Sequence, residues 1–206
     1  MSAKRKSKAI QTIVTGDIVS SRTIEQNTWL PILEKAIQGY SSKYDIFRGD
    51  SFQIQLQIED VFECVFYLKA SLKAIGLDVR IGIGVGTIEH DEDTIKKSSG
   101  EAFVFSGNAF DELGKETLSI KSEWTELDTT LNLMLQLATE IADRWTMSMA
   151  HSIAIALSNP TINQKELAKL LNQKYQSQIS TKLGNAGFQK IKRVIQYATN
   201  ELIKRC

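Results

Sequence analysis

The segment DVRIGIGVGTIE, residues 78–89, places glycine at 82, 84 and 86 between Ile81, Ile83 and Val85. A period of two is that of a β-strand, so one face of this strand is apolar and the other carries no side chains. Glycine weakens a strand unless something approaches the bare backbone closely. Whatever fold the chain adopts must therefore bring a helix or a ligand onto that face.

The flanking segments supply partners for such a strand. Residues 9–15 (AIQTIVT) read as a strand. NTWLPILEKAIQGYSSKY reads as a helix with Trp29, Ile32, Leu33, Ala36, Ile37 and Tyr40 on one face and Pro31 in its first turn. YDIFRGDSFQIQLQI alternates apolar and polar residues on both sides of Gly49-Asp50, which marks a hairpin turning at that pair. DVFECVFYLKASLKAIGL is an amphipathic helix ending near Gly76. After the glycine strand come a polar stretch, a helix in EAFVFSGNAFDELGKE and a strand in TLSIKS. The order β-α-β-β-α-β-α-β contains the split βαβ pattern of a ferredoxin-like α+β sheet, assigned to residues 1–124.

Residues 125–206 have a different character. TELDTTLNLMLQLATEIADRW and TMSMAHSIAIALSN are helical patterns, the first bracketed by Trp124 and Trp145 and the second stopping before Pro160. Over residues 161–187, a short helix QKELAKLL, a turn NQKY and a second short helix QSQISTKLGNAG precede a long final helix. Leu167, Ala168, Leu171, Ile179 and Leu183 recur at core spacings, the pattern of a helix-turn-helix. An ordinary helical bundle also contains such turns. Charge favours a DNA-binding module: residues 1–146 hold 16 basic and 22 acidic side chains, a net of −6, whereas residues 147–206 hold 9 and 2, a net of +7. Phosphate neutralisation needs such a surface, and Lys174, Lys182, Lys190, Lys192 and Arg193 supply it. At the start of the second short helix, Gln176, Ser177, Gln178, Thr181 and Lys182 are suited to base edges and phosphates. Dimers suit this role, since two recognition helices then span adjacent half-sites.

Other classes are excluded by what the chain lacks. The basic start MSAKRKSKAI is followed by no apolar run long enough for a signal peptide, and no window approaches a membrane span. Cys64 and Cys206 form neither a disulfide framework nor a zinc spacing, which fits a reducing cytoplasm. There is no nucleophile elbow or P-loop, and neither His90, in an acidic exposed loop, nor His151, on an apolar helix, has partners suited to catalysis.

The remaining chemistry lies in two carboxylates. Asp17 follows Gly16 at the end of the first strand, and Asp50 follows Gly49 at the hairpin turn. Each pair alone is a common turn device. In a sheet with the first strand beside the hairpin, the two carboxylates meet at one edge, an arrangement that holds Mg²⁺ or Mn²⁺ for phosphoryl chemistry.

With TGDIVSSR, the hairpin FRGDSFQ and the strand VRIGIGVG, the chain resembles the catalytic domain of class III nucleotide cyclases. With GEAFVFSGNAFDEL, DRWT and QKELAKLLNQKYQSQIS following in order, it resembles more closely the SatD family of bacterial proteins over roughly residues 10–200. The resemblance implies a cyclase-like head, with Asp17 and Asp50 at the metal-binding positions. Ile18, Val19 and Gly49 then lie beside a bound nucleotide. The cyclase Asn and Arg that orient ribose and phosphate are not matched: alternative alignments place Val104 and Asn108, or Asn108 and Glu112, at those positions. Ile46 replaces a purine-selecting Lys. Loss of a positioned cation argues against efficient cyclisation, although Arg22 or Arg48 can replace it. The chain therefore reads as a cytoplasmic DNA-binding regulator with a degenerate head that binds a nucleotide effector or forms a homodimer. The alternative is a divalent-metal-dependent enzyme acting on nucleotides or nucleic acid.

Overall fold

Strand β4 (Asp78–His90) carries the three alternating glycines and forms the backbone of the sheet. In this computed structural model, which describes residues 10–206, its bare face is covered by helix α3 (Glu101–Asp111). A side chain at 82 or 84 would collide with the backbone of Ser106 and Phe110, or of Ala102 and Ser106. The element that the glycines require is thus a helix lying directly on the strand. The basic residues 1–9, including the first residue of the expected opening strand, lie outside the described residues.

Strand β1 (Ile10–Val19) lies centrally between β4 and β3 (Ser51–Leu56), and β2 (Tyr44–Phe47) pairs with β3. In the order β2-β3-β1-β4 each neighbouring pair of these four strands is antiparallel. On the far side of β4 lie the two-residue β5 (Ser99–Gly100), antiparallel, and β6 (Leu118–Lys121), parallel. Helices α1 (Gln26–Gln38) and α2 (Val61–Lys73) provide the crossovers and bury Leu33, Ile37, Phe62, Phe66 and Leu72 against Val14, Phe52, Ile54, Ile81 and Ile83. The observed class is therefore mixed α+β.

Three local expectations need correction. β1 continues four residues past Thr15, because Val14, Gly16 and Ile18 alternate onto the buried face and Gly16 leaves room for Phe52. Pro31 sits in the second turn of α1, not the first; its exposed position leaves the Asn27 carbonyl, which loses its helical donor, facing water. His90 ends β4 and does not belong to the following loop.

The second half is helical: α4 (Thr125–Asp143), α5 (Met147–Leu157), α6 (Gln164–Leu170), α7 (Gln176–Asn185) and α8 (Phe188–Ile203). Helix α4 covers β6, where the Asn132 amide accepts from Ile120 N–H at 2.8 Å and donates to Ile120 C=O at 2.9 Å. An otherwise open strand edge is thereby satisfied. Helices α5 and α8 pack on α2, and one hydrophobic cluster runs from Val14 to Leu202, across the boundary expected at 124. Among the described residues no helix is long and apolar enough to cross a membrane.

Candidate functional site

The sheet edge at the ends of β1 and β3 brings the two expected aspartates together through their backbones. Asp17 lies opposite Ser51 on one side and Arg80 on the other, and Ile18 N–H donates to the Asp50 carbonyl at 3.2 Å. Their side chains are separately engaged. Arg80 donates from Nε to Asp17 Oδ1 (3.1 Å) and from Nη2 to Oδ2 (2.7 Å), and its guanidinium lies 5.3 Å from the Phe110 ring centroid. Asp50 Oδ2 accepts from Ser21 Oγ at 2.5 Å.

A divalent ion at Asp17 has to displace a bidentate guanidinium, which is among the stronger partners a carboxylate can have. Among the described residues no group of three or more His, Cys, Asp or Glu side chains is placed to hold a metal. As arranged, the donor set does not fit a two-metal centre.

The expected nucleotide-contacting residues separate. Ile18 and Val19 are strand residues opposite Val79 and Asp78, and the Ile18 amide is already bonded. Gly49 and Asp50 instead line a cavity of about 260 Å³ with Ser21, Arg22, Ile24, Gln26, Trp29 and Arg48. Its walls are the short 3-10 turn Ser21–Thr23, the start of α1 and the β2–β3 turn, where Arg48 and Gly49 both have positive φ (53° and 93°). Gln26 Nε2 donates to the Gly49 carbonyl at 3.2 Å and ties the turn to the helix. Arg22 and Arg48 thus come together at this cavity. Val104 and Asn108 are exposed on α3, Glu112 pairs with Lys121, and Ile46 is half-buried in β2.

In the C-terminal region, α6 and α7 form where the helical spacing places them. A capping box starts α6: Asn163 Oδ1 accepts from the Lys165 and Glu166 amides at 3.0 Å, while Glu166 accepts from the Asn163 amide. Asn172, at φ 50°, turns the chain between the helices. Leu167, Ala168, Ile179 and Leu183 are buried, and Leu171 is half-buried.

Gln176, Ser177, Gln178 and Thr181 are exposed on α7, and Lys182 is half-exposed. Four of these expected contacts, Ser177, Gln178, Thr181 and Lys182, line a groove of about 540 Å³ opposite Thr146, Ser148 and Met149 at the start of α5. Lys182 Nζ donates to Ser148 Oγ at 2.9 Å, a neutral partner, and it has no ion pair among the described residues. Lys174, Lys190 and Arg193 are exposed and Lys192 is half-buried, outside that groove lining. Lys174 lies over Tyr175 and Lys192 over Phe188.

Sequence reasoning missed Arg80, Trp29 and Ser148. Cross-strand register pairs Arg80 with Asp17, and tertiary packing brings Ser148 to Lys182; neither relation leaves a local signature. Cys64 is no nucleophile, since burial, with Asp60 and Glu63 nearby, pushes its thiol well above the usual range.

The sequence profile of the SatD family matches residues 10–203. No curated protein matches the chain.

Proposed function

This chain belongs to the SatD family, and on that premise we propose that it is a cytoplasmic DNA-binding regulator. In this reading α6 and α7 are the helix-turn-helix, α7 enters the major groove, and two chains bind as a homodimer. The antiparallel order β2-β3-β1-β4, with its two helical crossovers, supports a ferredoxin-like, cyclase-type head. That head serves as an effector domain, and the occupied carboxylate of Asp17 argues against metal-dependent turnover.

One observation carries the reading. Helix α7 buries Ile179 and Leu183 while presenting Gln176, Ser177, Gln178 and Thr181 to solvent, on a segment with a large basic excess. A recognition helix needs this division of labour: an apolar stripe for docking and a polar face for base edges.

The test is selection of a binding sequence from randomised duplexes, followed by anisotropy titrations over a salt series. Wild type should select a site, with log affinity falling linearly with log salt as phosphate counterions are released. Gln178→Ala and Lys182→Ala should each weaken the selected site by about 1–3 kcal/mol. Selection of no sequence, or unchanged affinity in both variants, overturns the assignment.

A further inference from the structure

Helix α4 turns Leu127, Leu131, Leu135, Ala138 and Ala142 into the core. Its opposite face is not uniformly polar. Leu133 and Leu137 are 59% and 62% exposed, one turn apart at the middle of that face. An amphipathic helix ordinarily presents charged and polar side chains to water. Two adjacent leucines with charged residues beyond them have instead the layout of a small association surface, apolar at the centre and polar at the rim.

The stripe through these leucines is regular. Glu126, Thr130, Leu133, Leu137, Glu140 and Arg144 follow one another at intervals of four, three, four, three and four residues, and all six are exposed. This is the repeat that keeps one stripe of a helix facing a second helix. The intervals are the same when the stripe is read backward. A copy of α4 laid antiparallel on it therefore sets Leu133 against the partner's Leu137, Thr130 against the partner's Glu140 and Glu126 against the partner's Arg144. Glu126 and Arg144 each lie nine residues from the level of Leu135, about 13.5 Å along the axis in opposite directions.

Charge decides between the two directions of pairing. Parallel helices would set Glu126, Glu140 and Arg144 each against its own copy, and every one of those contacts is repulsive. In the antiparallel arrangement Glu126 meets a cation and Glu140 meets a hydroxyl. Both rim groups are free to respond. The Glu126 carboxylate has no partner among the described residues, and Arg144 has only Glu140, at 3.4 Å, with the two side chains 82% and 70% exposed. A pair so open to water holds its members weakly, and a guanidinium has donors for a second carboxylate.

We infer that two copies of this chain associate through α4, antiparallel about a two-fold axis at the level of Leu135, with four leucines at the centre and a Glu126–Arg144 ion pair at each end. Such a contact is isologous, each residue meeting its counterpart twice. A single pair of helices is a small interface, so the dimer is weak in the free protein. The inference rests on the reading of the chain as a homodimeric regulator, and it assigns the surface that joins the two copies to the helical half.

Within one chain Glu126 and Arg144 stand about 27 Å apart along the helix, too far to touch, so any coupling between them reports a second chain. Sedimentation equilibrium of the full-length protein at low salt over a range of concentrations measures it. Wild type should fit a monomer–dimer equilibrium. Glu126→Arg and Arg144→Glu should each weaken association at least about fivefold, because like charges then meet at both ends. An equimolar mixture of these two variants should associate at least as tightly as wild type, since one chain then carries only cations at the two rim positions and the other only anions. Leu133→Gln combined with Leu137→Gln, at exposed positions where glutamine preserves the helix, should leave only monomer at an unchanged circular-dichroism spectrum.

A wild type that is monomeric at every concentration, a dimer that survives the double leucine variant, or a mixture no tighter than its components overturns the proposal. Binding to the selected duplex, measured on the same samples, separates the two readings. A duplex selected by a chain that does not pair through α4 rejects only this interface, and pairing through α4 with no duplex selected rejects only the DNA-binding role.

Discussion

Arg80 Nη2 lies 2.7 Å from Asp17 Oδ2 and Arg80 Nε lies 3.1 Å from Oδ1, so one guanidinium spans the carboxylate directly across the β1–β4 ladder. Both side chains are partly exposed, at 41% and 24%, so water screens the attraction despite the two-point geometry. A double-mutant cycle of Asp17→Asn and Arg80→Met in urea should give a coupling of about 1 kcal/mol. The same variants test the ion question. Millimolar Mn²⁺ should leave the wild-type Tm unmoved and raise that of Arg80→Met, where Asp17 has lost its cation. A wild-type shift that disappears in Asp17→Asn would instead mean that the ion displaces the guanidinium.

A second charge cluster ties the sheet to the helical region. Lys69 is 2% exposed, and its Nζ lies 2.9 Å from both Asp78 Oδ1 and Asp143 Oδ1; Lys73 Nζ reaches Asp78 Oδ2 at 3.0 Å. Removing one partner of a buried pair leaves an uncompensated charge. Asp78→Asn should therefore cost about 3 kcal/mol, and Asp143→Asn, at a half-exposed position, about 1 kcal/mol or less.

The same cluster sets an acid limit. Burial works against ionisation of Asp78, but Lys69 and Lys73 outweigh it and hold the carboxyl below its usual range. A carboxyl with a depressed folded pKa stabilises fully above its unfolded value of about 3.9, and that stability is lost as pH falls through the folded pKa. Wild type should lose stability across this window more steeply than Asp78→Asn, as measured by urea midpoints between neutral pH and pH ~3.

The glycines of β4 and α3 make opposite predictions for the same substitution. Gly84→Ala drives a methyl into the backbone of Ala102 and Ser106, and neither helix nor strand can yield without losing its hydrogen bonds. The variant should lose at least about 3 kcal/mol or fail to fold. Gly107, in the interior of α3, has open space where a Cβ would stand. Gly107→Ala should stabilise by up to about 1 kcal/mol, since alanine is the better helix former. Paired thermal melts check both signs.

What the chain discloses before folding, and what it withholds, follows from the range of the interactions. Alternation around Gly49-Asp50 gave the hairpin, and the 82/84/86 spacing required the close approach that α3 makes. Both are local patterns with a period. The pairing of Arg80 with Asp17 is not legible, because register links residues 63 positions apart. The end of β1 was misplaced because Gly16 resembles a strand stop, and only the Phe52 ring beside it shows why the strand continues. Trp29 reads as a core residue and is one; that its indole nitrogen is buried without a partner has no local signature.

The placement of α7 depends on one long-range bond. Trp145 Nε1 donates at 2.8 Å to the carbonyl of Ala186, the residue capping α7, across 41 residues of chain. Trp145→Phe keeps most of the buried area but leaves that carbonyl without its donor in a buried setting, at a cost of about 1–2 kcal/mol. The loss should be local in its dynamic effect. Amide exchange in α7 and the turn before α8 should accelerate, while that of β4, at the centre of the sheet, changes only by the global amount. If α7 is the recognition helix, affinity for the selected duplex should fall in the same variant although no DNA-facing side chain has changed. Uniform acceleration across α7 and β4 would show instead that the bond supports the whole fold and does not specifically orient α7.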